Sequence, residues 1–170
     1  MSECVKVLRD ELPYNLHIFV NSVEFIAKVI DTLKLAPEAV KVVCSTSGES
    51  RQENQRKLGN AYPIGQPSDP AKKVNFYTST CFEGCDIFDP DGVTFIVSDG
   101  RKAHTLLDIS TLFTQICGRI RDSRYKAQIV HVYSTTKYSK AVTLDEFVAA
   151  TQRTLAEAES YAAEINSLSE

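Results

Sequence analysis

The sequence predicts an α/β fold in three layers, a mostly parallel sheet with helices on both faces. Three observations lead there. Five short runs rich in β-branched and aromatic residues are almost continuously apolar, as strands buried on both faces must be. Segments with helical spacing of apolar residues lie between them. Strand and helix alternate along the chain, which implies crossover connections and parallel pairing.

The elements follow in order. Residues 1–15 are a helical lead-in. The first strand is Leu16–Val20 (LHIFV), and Ser22 then caps a helix carrying Phe25, Ile26, Val29, Ile30 and Leu33 on one stripe. Val40–Cys44 (VKVVC) is the second strand, and Glu49–Leu58 is a short polar helix closed by Gly59. Gly59–Pro70 (GNAYPIGQPSDP), with two glycines and three prolines, is an irregular excursion. Val74–Thr78, Val93–Ser98 and Gln128–Tyr133 are the remaining strands. Between the last two, Thr105–Gly118 places Leu106, Ile109, Leu112, Phe113 and Ile116 at helical spacing. Thr143 and Glu146 open a final helix over 143–168 with a capping box. Its apolar stripe runs through Leu144, Phe147, Val148, Thr151, Leu155, Ala158, Tyr161, Ala162, Ile165 and Leu168, and is expected to pack on the domain body. A single domain over 1–170 is expected, its core at 16–133.

Composition excludes several classes. The 170 residues are 43% hydrophobic with 19 basic and 22 acidic side chains, a formal charge of −3. Such a chain supports a packed core and does not read as disordered. No run reaches the roughly 20 apolar residues of a bilayer span. The charged N-terminus does not read as a signal peptide, so a cytoplasmic protein is expected. A protein that coats nucleic acid non-specifically is normally basic, so any such role must use local groups. Cys4, Cys44, Cys81, Cys85 and Cys117 read as reduced thiols. Zinc is not expected, because Cys81-x3-Cys85 has no spaced histidine or cysteine partners; His17 and His131 lie in strands and His104 precedes a helix. Cys44, with no histidine placed to activate it, reads as a core residue rather than a nucleophile.

Ligands of such sheets bind at the carboxyl ends of the strands. Those ends read Asn21-Ser22, Ser45-Thr46-Ser47, Thr78-Ser79-Thr80 and Ser98-Asp99-Gly100. One such group is commonly a cap or turn. Four along one edge suggest a rim of hydroxyls and amides able to hold phosphates.

Three segments carry a resemblance. Thr78-x5-Gly84-x-Asp86, within TSTCFEGCDIF, resembles motif V of superfamily 2 helicases. Gln115-x-x-Gly118-Arg119, within QICGRIR, resembles motif VI, and Leu16–Ser22 is similar to motif IV. Their order and the alternation of strand and helix resemble the second RecA-like domain of that superfamily, over about Leu16–Tyr133. The resemblance implies that Arg119 is an arginine finger for the γ-phosphate of a nucleotide held by a partner domain, with Gln115 one turn earlier on the same helix face. Arg121 joins this catalytic group. Glu83, Gly84, Asp86, Gly118 and Arg124 would border the nucleotide, Asp86 meeting its ribose or the motif VI arginines. Asn21, Ser22, Ser45, Thr46, Thr78 and Ser79 would hold a nucleic-acid backbone.

Departures accompany it. The usual second arginine is Asp122 here, leaving Arg121 or Arg124 as substitutes. The EGCD sequence is closer to DNA-acting members than to RNA-acting ones. Neither a G-x-x-x-x-G-K-[ST] loop nor an acidic DEAD- or DEAH-like box is present. ATP and magnesium would therefore be held mainly by a first RecA-like domain outside this chain, and the chain alone is expected to be inactive as an ATPase. The rival expectation is a non-catalytic α/β interaction module, in which Gly118 only ends a helix. A flavodoxin-like domain is disfavoured by the lack of a glycine-rich loop after the first strand. Arg101, Lys102, Arg119, Arg121, Arg124 and Lys126 form a basic cluster broken by Asp108 and Asp122. Thr136–Lys140 is a short basic patch, and the last helix, at about −5 from Asp145 to Glu170, would repel DNA.

Overall fold

The five apolar runs become five strands whose limits fall within a residue or so of those expected. They are β1 (Asn15–Phe19), β2 (Val40–Val43), β3 (Val74–Tyr77), β4 (Gly92–Asp99) and β5 (Ile129–Ser134). The structure is a computed structural model that describes residues 2–134 and 142–167. All pairings are parallel, in the order β2-β3-β1-β4-β5. The chain divides into two compact units, Met1–Ser134 and Thr135–Glu170. The Thr136–Lys140 patch lies outside the described residues.

Side chains alternate across the sheet, so each face carries its own core. One face presents Leu16, Ile18, Val42, Val74, Phe76, Val93 and Phe95. It packs against α1 (Ser2–Leu8), α2 (Val23–Leu33) and Leu58 of α3 (Gly48–Leu58). Ser22 caps α2 as expected, its Oγ accepting the Phe25 N–H at 3.2 Å. The other face presents Phe19, Val43, Tyr77 and Ile96. They are covered by Cys81, Phe82, Ile87, Ile116 and Ile120, from the segments that carry the motif V-like and motif VI-like residues.

Beneath this second core runs a polar row. Lys41, Asn75, His17 and Thr94 are mutual register partners across β2-β3-β1-β4, all buried. Buried polar groups need partners. Lys41 donates to the Pro67 and Asp69 carbonyls, and burial pulls its pKa down. Asn75 donates to the Leu16 and Lys72 carbonyls. The 59–70 excursion is thereby laid along β2: Ile64 bridges Val42, and the Gly65 N–H donates to the Val42 carbonyl. That edge of the sheet is covered.

One expected helix is different. Between β4 and β5 the chain makes a short 3₁₀ turn (Ala103–Thr105), an extended stretch, then a π-helical turn (Ile109–Phe113) leading into α4 (Thr114–Cys117). Asp108 stops any earlier helix, because its carboxylate accepts the Thr111 N–H and hydroxyl as a cap. Leu106 accordingly points outward, 41% exposed. In the second unit, α5 (Leu144–Ser167) begins at the expected capping box, Thr143 and Glu146 exchanging hydrogen bonds. No helix among the described residues is long and apolar enough to cross a membrane.

Candidate functional site

The chain leaves β3 at Thr78, on the carboxyl edge, and must reach the amino edge to begin β4. It does so across the second face. Gly84, at φ +71°, turns it; that left-handed conformation is what demands glycine here. The chain leaving α4 runs beside it in the same direction. Arg119 donates from Nη1 to the Cys85 carbonyl at 3.2 Å, and the Ile87 N–H donates to the Arg119 carbonyl at 2.9 Å. The Arg121 N–H donates to the Ile87 carbonyl, and its Nε donates to Asp86 Oδ1 at 2.7 Å. The Asp89 N–H donates to Asp122 at 2.8 Å. The two motif-bearing segments, over thirty residues apart in sequence, thus form one parallel seam.

The arginines along that seam differ electrostatically. Arg121 is paired with Asp86, Arg124 with Asp91, and Arg101, beyond the seam, with Asp99. Arg119 forms no ion pair among the described residues. Its Nε and Nη1 donate to the carbonyls of Gln115 and Cys85, which orient the guanidinium without cancelling its charge. Gln115 is exposed in α4, but that helix ends at Cys117, so Arg119 lies beyond it rather than on one helix face with Gln115 as expected; Glu83 is exposed beside Gly84. Gly118 ends α4 at φ −94°, open to any residue, and an added Cβ would come no closer than 3.6 Å to Gln115 O. Nothing within the described chain requires a glycine there.

Arg124 stands apart. With Asp91 and the Pro90 carbonyl it sits at the amino end of β4, opposite the strand ends that form the rim. The structure does not bring it to the other candidate residues. Asp122, in the place of the usual second arginine, instead holds the Asp89 amide.

Along the carboxyl edge, Asn21 links three strand ends. Its Nδ2 donates to the His104 carbonyl at 2.8 Å and its Oδ1 accepts the Ser79 N–H at 3.3 Å. Thr78 is buried against Thr80, while Ser79 is exposed. Ser45 bonds Ser47 at 3.0 Å, and its carbonyl accepts from Asn54; Thr46 is exposed. Ser22 is committed to its cap. Beside the edge, a cleft of about 440 Å³ lies between α2 and β4, with Phe25, Lys28, Val97, Arg101, Lys102 and Thr105 in its wall. Ser22 is its one lining residue among the candidates.

Two polar clusters were not anticipated. At the end of β4, Asp99 accepts from Arg101 and, at 2.6 Å, from Ser134; Arg101 foremost holds its carboxyl well below the usual range. In the interior, His17 Nε2 lies 2.8 Å from Asp89 Oδ2 and its Nδ1 lies 3.0 Å from the Tyr77 hydroxyl. An ionised carboxylate only accepts, so Nε2 carries a proton and donates it to Asp89, while Nδ1 pairs with the Tyr77 hydroxyl. Asn15 also donates to Asp89, at 3.0 Å. Burial opposes the Asp89 charge, but the bonds from His17, Asn15 and the Asp91 amide outweigh it and lower the pKa. This cluster pins the foot of the seam to the sheet. Its only sequence signals were a histidine within a strand and an aspartate in the DPDG turn. Cys44 is buried, which raises its thiol pKa to about 11 and suits a core role.

Comparison with protein-family models, with curated proteins and with solved structures gives no match for this chain.

Proposed function

We propose that the chain is the C-terminal half of an ATP-dependent nucleic-acid helicase or translocase, DNA-acting rather than RNA-acting. The single observation that carries this reading is the state of Arg119. It is a cation held in place by neutral carbonyls along the seam, whereas Arg121 beside it and Arg124 at the amino end of β4 are neutralised by carboxylates. A guanidinium in that state is suited to meet phosphate charge presented from outside. The unforced glycine at position 118 leaves room for a partner to approach it closely.

The residues present fit one end of a nucleotide only. Arg119 would meet the γ-phosphate, with Arg121 and Asp86 beside it, while the phosphate loop and magnesium carboxylates would come from a first RecA-like domain. When bound there, ATP supplies the energy of phosphoryl transfer. The rim formed by Asn21, Ser79, Ser45 and Thr46 would hold one nucleic-acid backbone through neutral groups. Domain closure would carry Arg119 onto the phosphate, and product release would let it withdraw. A direct test is phosphate release from ATP. The chain alone should release none above a protein-free blank, with or without DNA, and should restore DNA-stimulated turnover when joined to a complementary ATPase domain. Turnover by the chain alone would overturn this division of labour.

Gly118 ends α4, which suits the rival reading, a non-catalytic α/β interaction module. Under it, Arg119→Ala would leave every ATP-dependent activity unchanged.

A further inference from the structure

A strongly basic groove lies away from the rim, between the helices α2 and α3. It has a volume of about 600 Å³ and is walled by Lys28 and Lys34 of α2 and by Arg56 and Lys57 of α3; Asp31 is the only acidic residue lining it. All four cations are exposed. Lys57 is paired with Glu53 at 2.6 Å, whereas Lys28, Lys34 and Arg56 form no ion pair among the described residues. Cations near a helix end commonly complement the helix dipole, which accounts for Arg56 and Lys57. It does not account for Lys28, in the middle of α2.

The helix α3 points to a use. Its only buried residue is Leu58, and Asn54 and Gln55 are occupied with the Ser45, Gly59 and Tyr62 carbonyls. The core thus needs little of this helix beyond its last turn, and its remaining surface is polar. α3 (Gly48–Leu58) follows Ser45-Thr46-Ser47 of the rim and ends in the basic groove, and its outer side carries Gln52 and Arg56 together with Glu49 and Glu53, the latter paired with Lys57. The helix therefore joins the rim to the groove, and the unpaired cations gather at its groove end.

We propose that this groove is a second contact for the phosphodiester backbone of the nucleic acid, taken after the strand leaves the rim beside Ser47. The inference rests on the nucleic-acid reading above and adds an electrostatic anchor to it, because the rim itself holds phosphate with hydroxyls and amides. A phosphate backbone suits the groove better than an acidic protein segment does. Of the apolar side chains in its wall, Ile30 and Leu58 are buried in the core and Ala27 and Tyr62 are half-buried against it, so the exposed groups are mainly cations, which need only follow regularly spaced charge.

The test is binding of fluorescent 20-nucleotide oligothymidylate to the whole chain across a salt series. Each backbone contact by a cation adds roughly 0.7 to the slope of log affinity against log salt for single strands. The triple variant Lys28→Gln, Lys34→Gln, Arg56→Gln changes exposed side chains only and should fold as the parent does, checked by circular dichroism. Its slope should be shallower by about 2, and Asn21→Ala at the rim should weaken binding with the slope unchanged. An unchanged slope in the triple variant overturns the groove and leaves the helicase reading standing. Displacement of the oligonucleotide from the parent by deca-glutamate at equal concentration overturns it in favour of an acidic protein partner. No binding by the parent at low salt overturns both readings.

Discussion

Arg119 and His17 show how differently single residues can be read. Arg119 was legible in the sequence because its spacing from Gln115 and Gly118 is local. His17 was not, because its partner Asp89 is 72 positions away and only the folded sheet joins them. That pair yields two predictions. Gly92 begins β4 against the His17 ring, and a Cβ there would stand 2.9 Å from two ring atoms that are fully buried. Gly92→Ala should therefore destabilise by about 1–3 kcal/mol in urea unfolding, as overpacking does. Asp89 has a folded-state pKa below its unfolded value. Its contribution is thus present above the unfolded value of roughly 4 and is lost as pH falls through the folded value. Asp89→Asn should be less stable than the parent at pH 7 and should lose less further stability between about pH 5 and pH 2.

At the scale of elements, the strands were legible because each is a short apolar run bounded by turn residues. The stretch from Thr105 to Gly118 was not. Its apolar spacing is helical, but Asp108 captures the Thr111 amide and confines regular helix to Thr114–Cys117. The 59–70 segment has the glycines and prolines of an irregular loop, yet buried Lys41 draws its carbonyls onto the edge of β2. The seam is the element that makes the site, and it too was invisible locally: neither segment signals that it will bond to the other. Its exposed Arg121–Asp86 pair is expected to contribute modestly. A double-mutant cycle with Arg121→Ala and Asp86→Ala should give a coupling of about 0.2–1 kcal/mol that shrinks with salt. Gly84→Ala, at φ +71°, should cost about 1–2 kcal/mol through backbone strain.

For the whole molecule, the net charge of −3 conceals two parts. The sequence of the first unit, Met1–Ser134, carries 16 basic and 16 acidic side chains, and Thr135–Glu170 carries 3 and 6. The negative charge therefore belongs to the second unit, and a neutral body with locally unpaired cations is compatible with a phosphate ligand. The sequence pattern anticipated a parallel three-layer body and gave no sign that its second face would be closed by the seam. The central claim is that this body carries an arginine for phosphate it does not itself bind. It is tested most directly by comparing Arg119→Ala with the parent when each is joined to a complementary ATPase domain. DNA unwinding and equilibrium DNA binding would be measured on the same samples. The account predicts that DNA affinity stays within about twofold while unwinding falls by roughly 10³-fold, the scale of a lost arginine finger. Unwinding by the variant at near the parent rate would contradict it.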